Sequence, residues 1–407
     1  MERMGEELLT FFEEYRKQEK IFNQRKILQS NYEPTNIIHR QKQIEKIAKI
    51  LAPLSKNEKP SNIFIYGKPG TGKTVCVKHI VKKLETIAEK HNIPLKFLYI
   101  NCKLKKSSDT EYRLIANLAR MLGKAIPSTG LPTDEIYHFF YQAVDIEPKQ
   151  FIIIIDEIDQ LINKIGDEIL YNLVRINSEL KKSQLSIIGI SNNISFIDHL
   201  DPRIKSSLSE EEEVFPPYNA VQLRDILKER SEKAFFKNSL EEGFIEKCAA
   251  YAARDHGDAR RAIELLRVAG ELAERKNQTK ILIENLDEAE NKIEKDRVFE
   301  LIKAQPKQYN SLFYSIICLS EKYNRSLYTG EIYEVYQKIC LKTQLRPLTQ
   351  RRISDILAEF DTLGFIQANI ISKGRYGRTR EIFFHHKHLI EKLKKTLEED
   401  LFSDHEY

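Results

Sequence analysis

The sequence predicts an α/β fold in three parts. These are a doubly wound parallel sheet, an all-helical unit after it, and a C-terminal module of short helices ending in a strand hairpin. Three observations carry this. Apolar runs at residues 62–66, 97–100, 151–155, 187–190 and 214–215 alternate with helical periodicity, as parallel strands joined by crossover helices do. From about residue 219 the pattern turns wholly helical, with amphipathic stretches at 221–236, 240–253, 259–275 and 283–300, which suits a small bundle. Gln305-Pro306-Lys307 then separates a last unit whose strand-like runs, 364–371 and 380–384, flank a basic tip. A chain of 407 residues exceeds what one core organises, so several domains are expected.

Composition narrows the class. Hydrophobic residues make up 41% of the chain, enough for substantial cores. No run of eighteen apolar residues occurs, and Glu2, Arg3, Glu6 and Glu7 stand where a secretory signal would be basic and then apolar, so no membrane partner and an intracellular, soluble protein are expected. Cys76, Cys102, Cys248, Cys318 and Cys340 are widely spaced with no Cys-x-x-Cys pair, which speaks against a disulfide framework or zinc site and for packing roles. The net charge is +5, and its distribution is more informative than its sum. Residues 304–395 hold sixteen Lys and Arg against eight acids, and residues 396–407 hold five acids with no Lys or Arg. A basic module before an acidic tail hints at nucleic acid.

Residues 1–31 alternate charges with Leu8, Leu9, Phe11 and Phe12, as a short arm packed on the body would. Asn31-Tyr32-Glu33-Pro34-Thr35 breaks that pattern, and Ile37-Ile38-His39-Arg40 leads into a helix with Ile44, Ile47, Ala48 and Leu51 on one face. The first strand runs directly into Gly67-Lys68-Pro69-Gly70-Thr71-Gly72-Lys73-Thr74, a phosphate-binding loop. Its glycines let successive N–H groups wrap phosphate oxygens, the helix N-terminus adds its positive dipole end, Lys73 reaches the terminal phosphates, and Thr74 offers a hydroxyl to Mg²⁺.

The apolar run 151–155 ends in Asp156-Glu157-Ile158-Asp159. At the carboxyl end of a buried parallel strand, Asp156 can hold the magnesium and Glu157 can polarise an attacking water. Asn192, at the end of the 187–190 strand, can orient that water. Arg203, in Leu200-Asp201-Pro202-Arg203, opens a helix at the domain rim, the position an arginine finger needs. Arg260, in Gly257-Asp258-Ala259-Arg260, sits in the first turn of a lid helix. Residues 111–124 read as an extra helix with Ile115, Leu118 and Leu122 packed and Arg113, Asn117, Arg120 and Lys124 opposite.

The C-terminal module reads as a winged helix. A helix opens at Leu348-Thr349-Gln350-Arg351-Arg352-Ile353-Ser354, with Ile353, Ile356, Leu357 and Phe360 inward. That leaves Thr349, Gln350, Arg351, Arg352 and Ser354 at an exposed end suited to a major groove. The hairpin tip Lys373-Gly374-Arg375-Tyr376-Gly377-Arg378 is glycine-rich and basic, as a minor-groove reader requires. His385-His386-Lys387-His388 lacks the further ligands of a closed metal site.

In this order the motifs resemble those of the archaeal AAA+ replication initiators related to the origin-recognition complex and its cell-division-control loader, over roughly residues 30–395. The resemblance implies a base domain at 32–218 with an initiator-specific insertion at about 103–135. A helical lid follows at 219–303 and a DNA-binding winged helix at 304–395. It implies ATP or ADP with Mg²⁺ as cofactors. Pro69, Gly70, Thr71, Gly72, Lys73 and Thr74 would hold the phosphates, Ile37, Ile38, His39 and Arg40 would border the adenine, and Tyr218, Arg230 and Arg260 would add nucleotide contacts. Catalytic roles would fall to Glu157, Asn192, Arg203 and Arg260 in a slow ATPase used as a switch. The insertion's Arg113, Arg120 and Lys124 would join the wing on DNA. Implied partners are double-stranded origin DNA, other initiator subunits and the replicative helicase, in the cytoplasm and at the nucleoid of an archaeal cell. A signalling ATPase switch and a clamp-loader-like motor stay open as alternatives, separable by the salt and sequence dependence of duplex binding.

Overall fold

The computed structural model describes residues 21–103, 110–127, 130–193, 200–208, 210–254, 257–303, 305–323, 325–362, 365–372, 378–384 and 390–402. Its contacts divide into two compact units, Met1–Leu286 and Asp287–Tyr407. The division falls inside a helix, Ile283–Lys303, and not at Gln305-Pro306-Lys307. Pro306 merely caps the next helix, while Ile302 is already buried in the second unit's core.

In the first unit, β1 (Asn62–Tyr66), β2 (Leu95–Asn101), β3 (Gln150–Asp156), β4 (Gln184–Ser191) and β5 (Glu210–Val214) form a parallel sheet in the order β2-β3-β4-β1-β5. Strand alternation sorts the side chains into two cores. Ile63, Ile65, Ile152, Ile154, Ile188 and Ile190 face α1 (Gln41–Leu51) and α2 (Lys73–His91). Phe64, Tyr66, Phe151, Ile153, Ile155 and Ile187 face the other side, with α3 (Glu111–Met121), α4 (Thr133–Val144), α5 (Ile158–Ile165) and α6 (Glu168–Arg175). Both faces are covered, which is why β1 and β3 are apolar along nearly their whole length. The register aligns Asn101 with Asp156 and Tyr66 with Ser191, so the strands' carboxyl ends gather along one edge.

Two elements depart from the sequence pattern. The fifth strand lies at 210–214 rather than at 214–215, and it carries Glu211, Glu212 and Glu213. As an edge strand it keeps Glu211 and Glu212 exposed, while the Lys46 ammonium binds Glu213 at 2.8 Å and the Glu212 carbonyl at 2.7 Å. The insertion helix stops at Met121, short of Lys124, because Gly123 takes φ +88° and the Lys124 N–H returns to the Ala119 carbonyl, a glycine-based helix stop.

A helix α7 (Pro202–Leu208) precedes β5. The lid then consists of α8 (Ala220–Ala234), α9 (Phe244–Arg254), α10 (Ala259–Arg275) and the start of α11 (Ile283–Lys303). Asn219 and Gln222 form a capping box on α8, and Asp258 caps α10. The described end of the N-terminal arm packs on this lid. Ile21, Phe22, Ile27 and Leu28 are buried, and Phe22 lies 4.9 Å from the Phe235 ring centroid. A Cβ at Gly270 of α10 would stand 2.7 Å from Phe22, so the Phe22 ring seats closely against a glycine.

In the second unit, α12 (Lys307–Lys322), α13 (Thr329–Lys342) and α14 (Gln350–Thr362) surround a core that includes Phe313, Ile353, Leu357, Phe360 and Phe365. The strands β6 (Leu327–Tyr328), β7 (Gln367–Ser372) and β8 (Arg378–Phe383) pair antiparallel in the order β6-β8-β7. Residues 396–402, expected as part of an acidic tail, instead complete α15 (Ile390–Phe402), where Leu393, Leu397 and Leu401 are buried. Two of their three acids are bound. Glu398 accepts from the Tyr314 hydroxyl at 2.6 Å, and Asp400 accepts from the Asn310 amide at 2.8 Å. A helix with one buried leucine face can carry acids on the others, which composition alone does not separate from a solvated run.

None of the five cysteines forms a disulfide, and all but Cys318 are buried. Among the described residues no helix is long and apolar enough to cross a membrane. Leu397→Ala should lower stability by about 2–5 kcal/mol, the cost of a cavity in a packed core; thermal melts of the full chain check this, and an unchanged midpoint would contradict the packing of α15.

Candidate nucleotide site and nucleic-acid interface

The phosphate loop joins β1 to α2 and needs two glycines in left-handed conformations, Gly70 at φ +71° and Gly72 at φ +92°. Lys73 opens α2 and turns back into the loop. Its ammonium donates to the Gly67 carbonyl at 2.6 Å, the Lys68 carbonyl at 2.8 Å and the Asn192 side-chain oxygen at 2.9 Å. Burial pushes the Lys73 pKa down to about 8, with Arg260 adding to the fall and Asp156, Asp159 and Glu157 opposing it.

Asp156 ends β3 and is buried. Its Oδ2 accepts from the Thr74 hydroxyl at 3.0 Å and the Tyr99 hydroxyl at 2.7 Å, and its Oδ1 accepts from the Glu157 N–H at 3.1 Å. Glu157 adopts φ +57° at the N-cap of α5, a conformation that side chains seldom take and that packed surroundings must hold. Asp159 receives the Ser191 hydroxyl at 3.1 Å and the Asn192 N–H at 3.2 Å, so it fixes the turn that presents Asn192. A hydroxyl and a carboxylate side by side fit Mg²⁺, which takes few protein ligands and completes its shell with phosphate and water. No cluster of three or more His, Cys, Asp or Glu among the described residues forms a metal cage.

These groups line a cavity of about 960 Å³ between sheet and lid. Pro69, Gly70, Thr71, Gly72, Lys73, Thr74, Asp156, Glu157 and Asn192 form its floor. Ile37, Ile38, Tyr218, Arg230 and Arg260, which the resemblance implies as nucleotide contacts, also line it, together with Tyr32, Asn36 and Tyr99, which sequence reasoning did not single out. Arg230 donates to the Ile27 carbonyl at 3.2 Å and stacks 4.4 Å from the Tyr32 ring centroid, so the arm's end forms part of the wall. The Ala259 N–H meets the Gly70 carbonyl at 3.2 Å, bringing Arg260 to the loop from the lid.

Three expected site residues take other places. Arg40 is not a cavity-lining residue; it is buried behind the loop, donating to the Thr71 carbonyl at 2.9 Å and the Pro216 carbonyl at 2.5 Å, with its guanidinium 3.9 Å from the Tyr218 ring centroid. His39, at φ +61°, bonds Asp225 of α8 at 3.0 Å and so ties base to lid. Arg203 is 86% exposed, pairs with Asp201 at 3.0 Å, and lies outside the cavity lining.

On the other expected surface, Gln350 and Arg351 are exposed at the start of α14. Thr349 caps that helix through the Arg352 N–H at 3.4 Å. Arg352 is drawn back to the Tyr309 hydroxyl at 3.0 Å, near Asp355 and Glu359, and Ser354 is half-buried. On the insertion, Arg113 is exposed and Lys124 half-buried. Arg120 is committed to the Ile126 and Pro127 carbonyls at 3.0 and 2.9 Å. Lys373, Gly374, Arg375, Tyr376 and Gly377 lie outside the described residues, as do His385, His386, Lys387 and His388; Arg378 opens β8, its side chain outside the description.

Models of three families match along the chain: an AAA domain at residues 56–195, the Cdc6 AAA+ ATPase-type lid domain at 224–291, and the CDC6 C-terminal winged helix domain at 300–390. The ORC1-type DNA replication protein of Pyrococcus abyssi is 51% identical over 375 residues, 91% of this chain and 89% of the relative. The chain belongs to the archaeal Orc1/Cdc6 family of replication initiators. Another Orc1/Cdc6 relative, the ORC1-type protein of Pyrococcus furiosus, is 50% identical over the same shares. Among solved structures, the Aeropyrum pernix ORC1 protein in complex with DNA superposes with a TM-score of 0.84 at 40% identity, over 95% of this chain and 99% of that one. Cdc6p from Pyrobaculum aerophilum, at TM-score 0.60 and 20% identity over 94% and 100%, shares the Orc1/Cdc6 fold. The lid model begins at Arg224, inside α8, and the AAA model spans the phosphate loop and Asp156-Glu157, which marks this Orc1/Cdc6 chain as a nucleotide-binding protein of the AAA+ class.

The position of Lys73 sets a pH dependence. Below about pH 8 its ammonium is present before a ligand arrives; above it, anion binding must first take up a proton. ADP affinity in EDTA should therefore be level from about pH 7 to 8 and then fall by up to about tenfold per unit. Calorimetric titrations across that range check it, and a level profile well above pH 8 would show that burial does not lower the Lys73 pKa this far.

Proposed function

We propose that this Orc1/Cdc6 protein is an ATP-regulated initiator that binds duplex origin DNA and takes part in recruiting or loading the replicative helicase. The observation that carries the nucleotide half is the cavity itself. Its walls come from the phosphate loop, the segment before α1 and the lid, so a bound nucleotide would touch all three and bias their relative positions. In this reading Lys73 and the loop N–H groups hold the phosphates, Thr74 and Asp156 hold Mg²⁺, Glu157 polarises the water, and Asn192 and Arg260 steady the developing charge. When bound, Mg²⁺ would offset phosphate charge. Arg203 stands clear of its own chain's cavity, which supports its delivery to the site of another initiator subunit. Turnover by a lone subunit is then slow.

The DNA half rests on the winged helix. Gln350 and Arg351 are exposed at the first turn of α14, the end a recognition helix offers to base edges, and the 40%-identical Aeropyrum pernix ORC1 structure is a complex with DNA. Arg375 and Arg378 at the wing tip, with Arg113 on the insertion, would add backbone and minor-groove contacts. Committed to carbonyls, Arg120 contributes less in this reading.

Glu157→Gln should retain nucleotide while slowing hydrolysis by about 10²-fold or more; single-turnover assays read this, and unchanged turnover would remove Glu157 from its role. Footprints on candidate origin DNA near physiological salt should show discrete protection that Arg375→Ala with Arg378→Ala abolishes, with the salt slope of duplex binding reduced by up to about 2. Uniform protection by the wild type would favour a loader or signalling ATPase.

A further inference from the structure

We infer that Tyr99 is a positioning residue for the magnesium carboxylate, holding Asp156 in the orientation that receives the metal. The inference rests on the proposed Mg²⁺ role of Thr74 and Asp156. Tyr99 lies on β2, whose last residue Asn101 is in register with Asp156 on β3. Two residues earlier on the strand, Tyr99 points to the same side of the sheet as Asn101, and its hydroxyl reaches Asp156 Oδ2 at 2.7 Å.

The direction of that hydrogen bond is fixed by what surrounds it. The Asn101 side-chain oxygen is taken up by the Lys103 N–H at 3.0 Å, and a carboxylate oxygen can only accept from the Tyr99 hydroxyl. The Tyr99 proton is thereby turned toward Asp156. The ring is held from the cavity side as well: the Lys78 ammonium stands 5.3 Å from its centroid and is itself held by Glu33 at 3.3 Å. All three of these side chains line the cavity.

Asp156 Oδ2 thus has two hydroxyl donors with different duties. Thr74 is shared between carboxylate and metal in the proposed reading. Tyr99 makes no demand on the metal and can keep Asp156 in place whether or not the cation is bound. Groups that orient a metal ligand in this way commonly change metal affinity by about 10–100-fold when removed. The Glu33 to Lys78 to Tyr99 chain also links the carboxylate to the segment before α1, which forms the opposite part of the cavity wall.

The test is the gain in ADP affinity on adding MgCl₂, and the Mg²⁺ concentration at the midpoint of that gain, measured by calorimetry on the full chain. Tyr99→Phe should move the midpoint up by about tenfold, and Lys78→Gln, which frees the ring but keeps the hydroxyl, should move it in the same direction by less. Thermal melts of both variants identify any loss of fold; if Tyr99→Phe is unfolded, Lys78→Gln decides. A wild-type midpoint in the folded variant would overturn the inference. Asp156→Asn separates the two levels: if it too keeps the wild-type Mg²⁺ dependence, the metal assignment fails, whereas a change there with none in Tyr99→Phe sinks only Tyr99.

Discussion

The site depends on a buried cation behind the phosphate loop. Arg40 is only 2% exposed, and a guanidinium removed from water costs several kcal/mol unless its donors and its face are satisfied. Here they are met by the Thr71 carbonyl of the loop, the Pro216 carbonyl of the strand-to-lid linker, and the rings of Tyr218 and Phe215. Each charged hydrogen bond contributes about 1.5–3 kcal/mol, and the ring contacts add to that. One side chain therefore fastens the segment before α1 to two other stretches, the phosphate loop and residues 215–218. A Cβ at Gly72 would strain its left-handed backbone, φ +92°, and stand 2.8 Å from the Tyr218 hydroxyl.

Short-range polar contacts join the lid to the same loop. Asp258 caps α10 through the N–H groups of Arg260 and Arg261, and a Cβ at Gly70 would collide with its carboxylate. The Ala259 to Gly70 hydrogen bond and the His39 to Asp225 pair are each of a strength that a bound nucleotide can outweigh. In the proposed reading that is the energetic scale a nucleotide switch would require: contacts firm enough to define one arrangement, and weak enough for a ligand's differential binding to select another.

The winged helix has a separate core built on aromatic contacts, with Phe313 packed at 5.5 Å against Phe360 and at 4.9 Å against Phe365. The core fixes α14, so the side chains at its first turn project from a rigid element. Charge there is edited by neighbours. Arg351 is exposed, while Arg352 is held along the helix by Tyr309, Asp355 and Glu359. A count of basic residues therefore overstates the charge presented for phosphate or base contacts.

Much of this was legible in the sequence because the features are local. The phosphate loop is a turn conformation that only its glycines permit. Asp156-Glu157 announces itself at the end of an apolar strand, and the lid helix beginning at residue 259 starts one residue after its capping Asp258. What remained hidden depends on partners far away in the chain. Arg40 precedes a helix and gives no sign that it will meet Pro216, 176 residues on. Tyr99 reads as one more strand residue until β2 pairs with β3. The glutamates of β5 suggest a solvated loop until the sheet edge accepts them, and the acids after residue 396 suggest a tail until buried leucines dock α15 on α12. Local backbone preference determined where the phosphate loop, the acid pair and the helices stand. Only tertiary packing decided which side chains hold them there, because burial and hydrogen-bond partnership are properties of neighbours in space.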